Sequence, residues 1–208
     1  MNLIDHLNWR YATKMFHPAL KIGATDLAYL KEAVRLAVSS YGLQLYKVLI
    51  VENQEIRQEL RKASWDQPQI TDASHLFIFC NYINNFEYHV DEYIQRVINA
   101  GADQLALEKY GQFIKSSIDA KSVDNRNVWA EKQTYLALSN LLLACAERKI
   151  DACPMEGFDN LAYDRILGLS EMGLHAAVIA PVGYRSAADD AQKRPKIRKS
   201  IRELFELV

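Results

Sequence analysis

Apolar side chains recur along this chain at two spacings, one typical of helices and the other typical of strands. The first helix is predicted over residues 2–12, where Leu3, Ile4 and Leu7 fall on one face. A second helix is predicted to begin at Thr25, whose hydroxyl suits an N-cap position. It is expected to end before the Ser-Ser-Tyr-Gly segment that follows.

Three segments are predicted to be strands. Residues 45–53 are rich in β-branched and aromatic side chains, and residues 174–184 form a second strongly apolar run. Residues 75–83 are almost entirely apolar, which predicts a central strand covered on both faces. Because these strands alternate with five or more predicted helices, we expect a helix-rich mixed fold with a small sheet flanked by helices.

The remaining patterns are mostly helical. Residues 86–120 show helical spacing with a break at Gly101, and residues 124–149 form the longest apolar helix. The tail, residues 201–208, becomes apolar again after a charged loop. It either docks on its own chain or packs on a second subunit. No repeat, low-complexity segment or flexible linker interrupts the sequence, so a single domain over residues 1–208 is expected.

Charge and composition narrow the class of protein. The 25 Lys and Arg residues nearly cancel the 26 Asp and Glu residues, which argues against a nucleic-acid surface or a polybasic membrane patch. The N-terminus lacks the features of a signal peptide and no apolar run reaches membrane-spanning length, so a cytoplasmic protein is expected. Cys80, Cys145 and Cys153 lack metal-site spacing and are predicted to be buried free thiols.

The familiar catalytic motifs are missing from the sequence. There is no GxGxxG after a strand, no GxxxxGK[ST], no GxSxG and no HExxH. A Rossmann dinucleotide site, a P-loop, a hydrolase nucleophile and a metal centre are therefore not predicted.

Two groups of cations stand out instead, one at each end of the chain. Arg10 and Lys14 lie four positions apart, and Lys196 and Arg198 belong to a basic segment near the C-terminus. Each group alone is typical of a solvated surface. If the fold brought them together, they would form a phosphate site, because arginine forms bidentate hydrogen bonds with phosphate and lysine adds a point charge.

Two further segments suit a flat, polar ring. Pro154 and Gly157 constrain the backbone around Glu156 and permit close approach of main-chain N–H groups, although an ordinary turn would look the same. Gln67 and Gln69 flank a proline just before the central strand. Their amides suit the edge of a heterocycle, and they equally suit a plain loop.

Five segments stand out in order along the chain: RYATKMF, SSYGLQ, ITDASHLFIFC, CPMEGF with PVGY after it, and RPKIR. Their order and spacing resemble the oxygen-insensitive, FMN-dependent nitroreductase family, over roughly residues 5 to 200 of the chain. This resemblance implies an α+β, nitroreductase-like fold with a small, mostly antiparallel sheet flanked by helices. It also implies an intertwined homodimer with flavin sites at the interface, FMN as cofactor, and NADH or NADPH as electron donor.

The resemblance also implies roles for individual residues. Arg10 would serve the ribityl phosphate, and Lys14 would lie near the N1/O2 edge of the flavin. Ser39 and Ser40 would reach the flavin of the other subunit. Lys14, Glu156 and Gly157 are the implied catalytic residues, the last two through backbone N–H groups near flavin N5. The full implied cofactor-binding set is Arg10, Tyr11, Ala12, Lys14, Ser39, Ser40, Gln67, Gln69, Pro154, Met155, Glu156, Gly157, Lys196 and Arg198.

The function implied is reduction of nitroaromatics, quinones or similar acceptors by NAD(P)H, in a ping-pong sequence through flavin N5. Three alternatives stay open: a same-fold reductase with a dedicated metabolic substrate such as a pterin or flavin, a flavin-binding protein without meaningful turnover, and a helical interaction domain. The sequence departs from the family pattern at Ala12, which lacks a hydroxyl contact, and at Gly42 and Leu45, which lie in the stretch that helps to shape the substrate side in the family. It also carries Gln69 where better-studied members carry lysine.

Overall fold

A computed structural model describes residues 2–208. Its centre is a four-stranded sheet in the order β1-β2-β4-β3, and every neighbouring pair is antiparallel. The strands are β1 (Tyr46–Val51), β2 (His75–Tyr82), β3 (Asp151–Ala152) and β4 (Leu174–Gly183). The three predicted strands are therefore present, and β3 is an additional short one.

Strand β2 lies inside the sheet and is buried along almost its whole length, as its apolar run predicts. Side chains alternate across a strand, so neighbouring residues enter different layers. Leu76 and Ile78 belong to the core on one face of the sheet. Phe77 and Phe79 belong to the core on the other face. The sheet is thus a central layer between two apolar cores.

Nine helices surround or extend this sheet in the described part of the chain. The longest, α7, lies against the face that carries Phe77 and Phe79, and it contributes Leu138 and Leu141 to that core. The helices are α1 (Leu3–Trp9), α2 (Ala24–Arg35), α3 (Gln54–Lys62), α4 (Gln69–Asp72), α5 (Phe86–Asn99), α6 (Gln104–Asp119), α7 (Val123–Glu147), α8 (Asn160–Leu167) and α9 (Ile201–Leu204).

Helices α5 and α6 form an antiparallel pair with a core of its own, which includes Val90 and Ile114. The predicted break between them is confirmed at Gly101, whose φ of 98° is easily adopted only by glycine. No helix among residues 2–208 combines the length and hydropathy needed to cross a membrane.

Several predicted boundaries were wrong. The first helix stops at Trp9 because the backbone turns extended at Arg10, and its apolar face is exposed rather than buried. Helix α2 is capped by Gly23 and begins before Thr25. Helices α4 and α8 were not predicted. All three cysteines are buried and free, as predicted.

Candidate functional site

The segment after α1 is fixed by aromatic and charged contacts. The guanidinium of Arg185 lies 4.4 Å from the ring centroid of Trp9 and 4.6 Å from that of Tyr11. The same guanidinium is paired with the buried carboxylate of Asp151, at 2.8 Å from Nε. Because alternate residues of an extended chain point to opposite sides, these contacts direct Arg10 away from Arg185.

The cations from the two ends of the chain meet beside this segment. The ammonium of Lys196 donates hydrogen bonds to the backbone carbonyls of Leu7 and Arg10. Burial lowers the pKa of Lys196, and the charges of Arg10 and Arg198 lower it further. Burial also lowers the pKa of Arg10, with a second contribution from Arg198. The convergence that a phosphate site requires is therefore present.

Lys14 extends this group toward β3. Its ammonium lies 3.9 Å from the sulfur of Cys153. Burial raises the pKa of the Cys153 thiol, whereas the neighbouring charges of Lys14 and Arg10 oppose that rise. We call the following four residues the cation cluster: Arg10, Lys14, Lys196 and Arg198.

The cation cluster has no carboxylate partner among residues 2–208. Each ion pair found there involves other residues, including Arg185 with Asp151 and Lys193 with Asp190. Bringing like charges together without a counter-charge costs free energy. An anionic ligand would remove that cost, so the arrangement is suited to binding a phosphate or a similar anion.

The Pro154–Gly157 segment lies next to the cluster through Cys153. Met155 is buried and joined to Ile179 of β4 by two backbone hydrogen bonds of 2.8 and 3.1 Å. By contrast, the N–H groups of Glu156 and Gly157 have no acceptor in the part of the chain that the structure describes. Two consecutive unpaired donors are thus available to a ligand, as the family resemblance implies.

The Gly157 carbonyl and the Glu156 carboxylate are held by two residues from outside this segment. Gln67 donates its amide to the Gly157 carbonyl at 2.9 Å. Tyr135 of α7 donates its hydroxyl to the Glu156 carboxylate at 2.9 Å, and burial together with this bond raises the pKa of Tyr135 to about 12. The Trp65 ring covers Gly157 so closely that a Cβ there would lie 2.8 Å from Cζ3.

Two implied site residues are placed differently from the rest. Ser39 and Ser40 lie a few residues after α2, at the start of a short helical turn, and Ser40 donates its N–H to Gln133 of α7 at 2.8 Å. Within one chain no hydrogen bond in the described residues joins them to the cation cluster. Gln69 is buried at the start of α4, and its side-chain amide makes no hydrogen bond with residues 2–208.

The departures from the family pattern have structural explanations. Leu45 is 1% exposed and packs in the core of the α5–α6 pair. Gly42 adopts a φ of 74°, and a Cβ there would lie 3.1 Å from Tyr93. Ala12 forms a bridge with Ala152 of β3. These residues therefore fit this chain's own packing, and none of them alone indicates a changed substrate.

Sequence reasoning missed several residues that hold the site together. They form no motif with their partners, because the partners are distant in sequence. Asp189 was interpreted as the start of a charged loop, although an Asp just before a short helical turn is a recognisable cap. The missed residues are Trp65, Tyr135, Asp151, Arg185 and Asp189.

Comparison with known proteins identifies the group to which the chain is related. The family model described as the nitroreductase family matches residues 7–184. The chain belongs to the nitroreductase family. The predicted resemblance is confirmed, and the nitroreductase-like fold with it.

Individual relatives cover nearly the whole of this nitroreductase-family chain. A Bacillus subtilis protein with the provisional name NAD(P)H nitroreductase YfkO is 33% identical over 220 residues, covering 99% of this chain and 97% of its own. A solved structure provisionally named as an Exiguobacterium sibiricum nitroreductase in complex with FMN has a TM-score of 0.87 at 15% identity, covering 100% and 98%. CLA-ER, an enone reductase of gut-bacterial metabolism, has a TM-score of 0.85 at 18% identity, covering 100% and 98%.

Proposed function

We propose that this protein binds FMN and uses NADH or NADPH to reduce nitroaromatics, quinones or similar small acceptors. The observation that carries the proposal is the cation cluster without a carboxylate partner, beside two unpaired backbone N–H groups. Relatives named as NAD(P)H nitroreductases and a same-fold protein solved with FMN support the same assignment.

The donor set fits FMN better than FAD. Arg10, Lys196 and Arg198 supply enough positive charge for one terminal phosphate, and the sequence carries no second nucleotide-binding motif. Gln67 and Gln69 would contribute amides, and Tyr11, Ala12, Pro154 and Met155 would contribute backbone and packing around the ring. The other FMN-binding residues would be Lys14, Ser39, Ser40, Glu156 and Gly157.

Three residues are assigned catalytic roles. When bound, FMN would supply the two-electron chemistry that couples the nicotinamide to the acceptor in ping-pong order. Lys14 supplies a fixed positive charge that offsets negative charge developing on the ring. The N–H groups of Glu156 and Gly157 supply preorganised hydrogen bonds, which Tyr135 and Gln67 hold in place from behind.

Spectroscopy of the purified protein tests this function. The protein, reconstituted with FMN if necessary, should be yellow, and heat should release FMN rather than FAD on chromatography. Under anaerobic conditions NADH or NADPH should bleach the flavin, and a nitroaromatic or quinone should restore the colour. A protein that stays colourless after reconstitution would contradict flavin binding. Bound flavin that no nicotinamide bleaches would favour a binding protein without turnover.

The acceptor is the least constrained part of the proposal. The enone reductase with the same fold shows that this architecture also serves a dedicated substrate, so a reductase of one particular metabolite is the second candidate. Steady-state rates over a panel of nitroaromatics, quinones, flavins, pterins and enones, each with NADH and NADPH, would separate the two.

We also propose that the protein is a homodimer with flavin sites shared between subunits. Ser39 and Ser40 make no hydrogen bond with the cation cluster of their own chain in the described residues, which is consistent with a role at the partner's flavin. The C-terminal tail supports the same assembly because Ile201, Phe205 and Leu207 are 78%, 67% and 103% exposed. Light scattering on the purified protein measures the assembly directly, and a flavin-loaded monomer would contradict it.

A further inference from the structure

Asp189 lies where the two ends of the chain are joined. Its side chain is covered, with 2% of the residue exposed, and it accepts four hydrogen bonds. One carboxylate oxygen accepts from the Tyr11 hydroxyl at 2.9 Å, from the Lys14 N–H at 2.9 Å and from the Met15 N–H at 3.2 Å. The other oxygen accepts from the Ala191 N–H at 3.0 Å.

These contacts connect the two segments that carry the cation cluster. Three donors belong to residues 11–15, which contain Lys14 and directly follow Arg10. Asp189 itself begins the segment that leads to Lys196 and Arg198. No other carboxylate among residues 2–208 accepts hydrogen bonds from both segments.

Electrostatics alone would not place a carboxylate here. A negative charge close to an anion site repels the anion, so Asp189 opposes phosphate binding by direct Coulomb interaction. Burial would raise the pKa of Asp189, but its hydrogen bonds hold that pKa below the usual value. The side chain is thus charged at neutral pH. Any benefit it gives to the site has to come from geometry.

We propose that Asp189 is a positioning residue that keeps the two cation-bearing segments in register, so that their charges meet at one anion. This inference rests on the proposed function, because it takes the anion to be the phosphate of FMN. It makes a prediction opposite in sign to simple electrostatics. Removing the negative charge of Asp189 should weaken phosphate binding rather than strengthen it.

The Asp189→Asn variant tests this inference by titration with FMN and with riboflavin, which lacks the phosphate. Asparagine preserves the size of the side chain but turns one acceptor into a donor that faces other donors. We expect the Kd for FMN to rise about 10-fold, the change produced by losing one charge-assisted hydrogen bond. Riboflavin should be affected by less than about twofold. Asp190→Asn is the matched control, because Asp190 is exposed and pairs only with Lys193 in the described chain.

Each outcome of the titration decides something definite. Tighter FMN binding by Asp189→Asn would mean that charge outweighs geometry, and an equal loss for both ligands would mean a general structural role; either result overturns the inference. An unchanged ratio of the two Kd values would overturn it too. A wild-type protein that binds riboflavin as tightly as FMN would refute the phosphate assignment itself, and that result is visible without any variant.

Tyr11→Phe provides a second test in case Asp189→Asn does not fold. It removes one donor to Asp189 and preserves the aromatic ring beside Arg185. We expect a smaller loss that is again specific to FMN, with the circular dichroism spectrum and the melting temperature unchanged. A Tyr11→Phe protein with the wild-type ratio of FMN to riboflavin affinity would overturn the inference.

Discussion

Arginine lies both in the interior beside α4 and at the edge where the two ends of the chain meet. Its hydrogen-bonding environment differs between these two regions. Arg57 is fully buried, and its guanidinium donates to the carbonyls of Ile70, Ala73 and Ser74 at 2.6, 2.7 and 3.1 Å. Burial lowers its pKa to about 10, so it still carries a charge at neutral pH. Each of the three guanidinium nitrogens of this residue donates to its own chain.

Arg10 is only partly buried and lies near Arg198 and Lys196, which are cations like itself. The tail that follows also exposes apolar side chains to solvent, among them Ile201 and Phe205. The contrast teaches that burial of a charged residue does not by itself mark a ligand site. An arginine whose three guanidinium nitrogens donate to its own backbone supports the fold, whereas cations that the fold gathers without a carboxylate partner mark where an anion binds.

The largest expected effect comes from removing residues 201–208. If the tail packs on a second subunit, the truncation removes five apolar side chains from that interface, each worth about 1.5–3 kcal/mol when fully buried. Dimer stability and flavin content should then fall together, although no deleted residue is a proposed flavin ligand. Light scattering and the ratio of flavin to protein absorbance measure both.

The Arg202→Ala variant is the control for that truncation, because it changes the same segment without removing an apolar side chain. It should stay dimeric and yellow. A truncated protein that is fully dimeric and fully loaded with flavin would show that the tail has no part in assembly.

The next largest effect is expected for Arg57→Met, which tests the region where an arginine donates to its own backbone. Three buried carbonyls would lose their donors, and the free energy of unfolding should drop by about 3 kcal/mol or more. Urea denaturation measures it. Arg35→Met is the control, since Arg35 forms only an exposed pair with Glu32 and should unfold like wild type. A stable Arg57→Met protein would mean that the guanidinium is not structural.

Arg198→Ala tests the cation cluster and should leave the fold intact. Loss of one charge-assisted contact to phosphate costs about 1.5–3 kcal/mol, so the Kd for FMN should rise roughly 10-fold to 150-fold. Stability without FMN should be unchanged or slightly higher, because a repulsion with Arg10 is removed. Hydride transfer in the fully loaded enzyme, followed by stopped flow, should change little. An unaltered Kd would remove Arg198 from the phosphate site.

The smallest effect is expected for Gly157→Ala. The new Cβ would lie 2.8 Å from Trp65, but that ring is 68% exposed and has room to shift. The cost in unfolding free energy should therefore be about 1 kcal/mol or less. In a Trp65→Ala background the same substitution should cost nothing. An equal cost in both backgrounds would show that the strain lies in the backbone and not against the ring.

Much of the fold could be predicted because its signals are local. The apolar run of β2 and the glycine break between α5 and α6 each depend on a few consecutive residues. Strand β3 was missed because two residues are too few to show a period, and α4 was missed for the same reason. Helix α8 is amphipathic, but it lies between the Pro-x-Glu-Gly motif and β4, where no element was predicted.

The candidate site also contains residues that the sequence indicates and residues that only the fold reveals. Residue types in the cation cluster were visible in the sequence, but only the family resemblance suggested that its two halves meet. The support residues were invisible because they act across long separations: Tyr135 is 21 positions from Glu156, and Asp189 is 178 positions from Tyr11. Such pairs leave no periodic pattern, so only the folded chain reveals them.

The hydrogen bond from Lys196 to the Arg10 carbonyl spans 186 positions, and this separation has a consequence for biosynthesis. At about 5–20 residues per second, a ribosome needs about 10–40 s to add Lys196 after Arg10. A nascent chain therefore cannot assemble its phosphate site during most of its synthesis, even if the sheet has begun to form. Cofactor loading becomes a late event, and a chain terminated before residue 196 should remain colourless however well the rest of it folds.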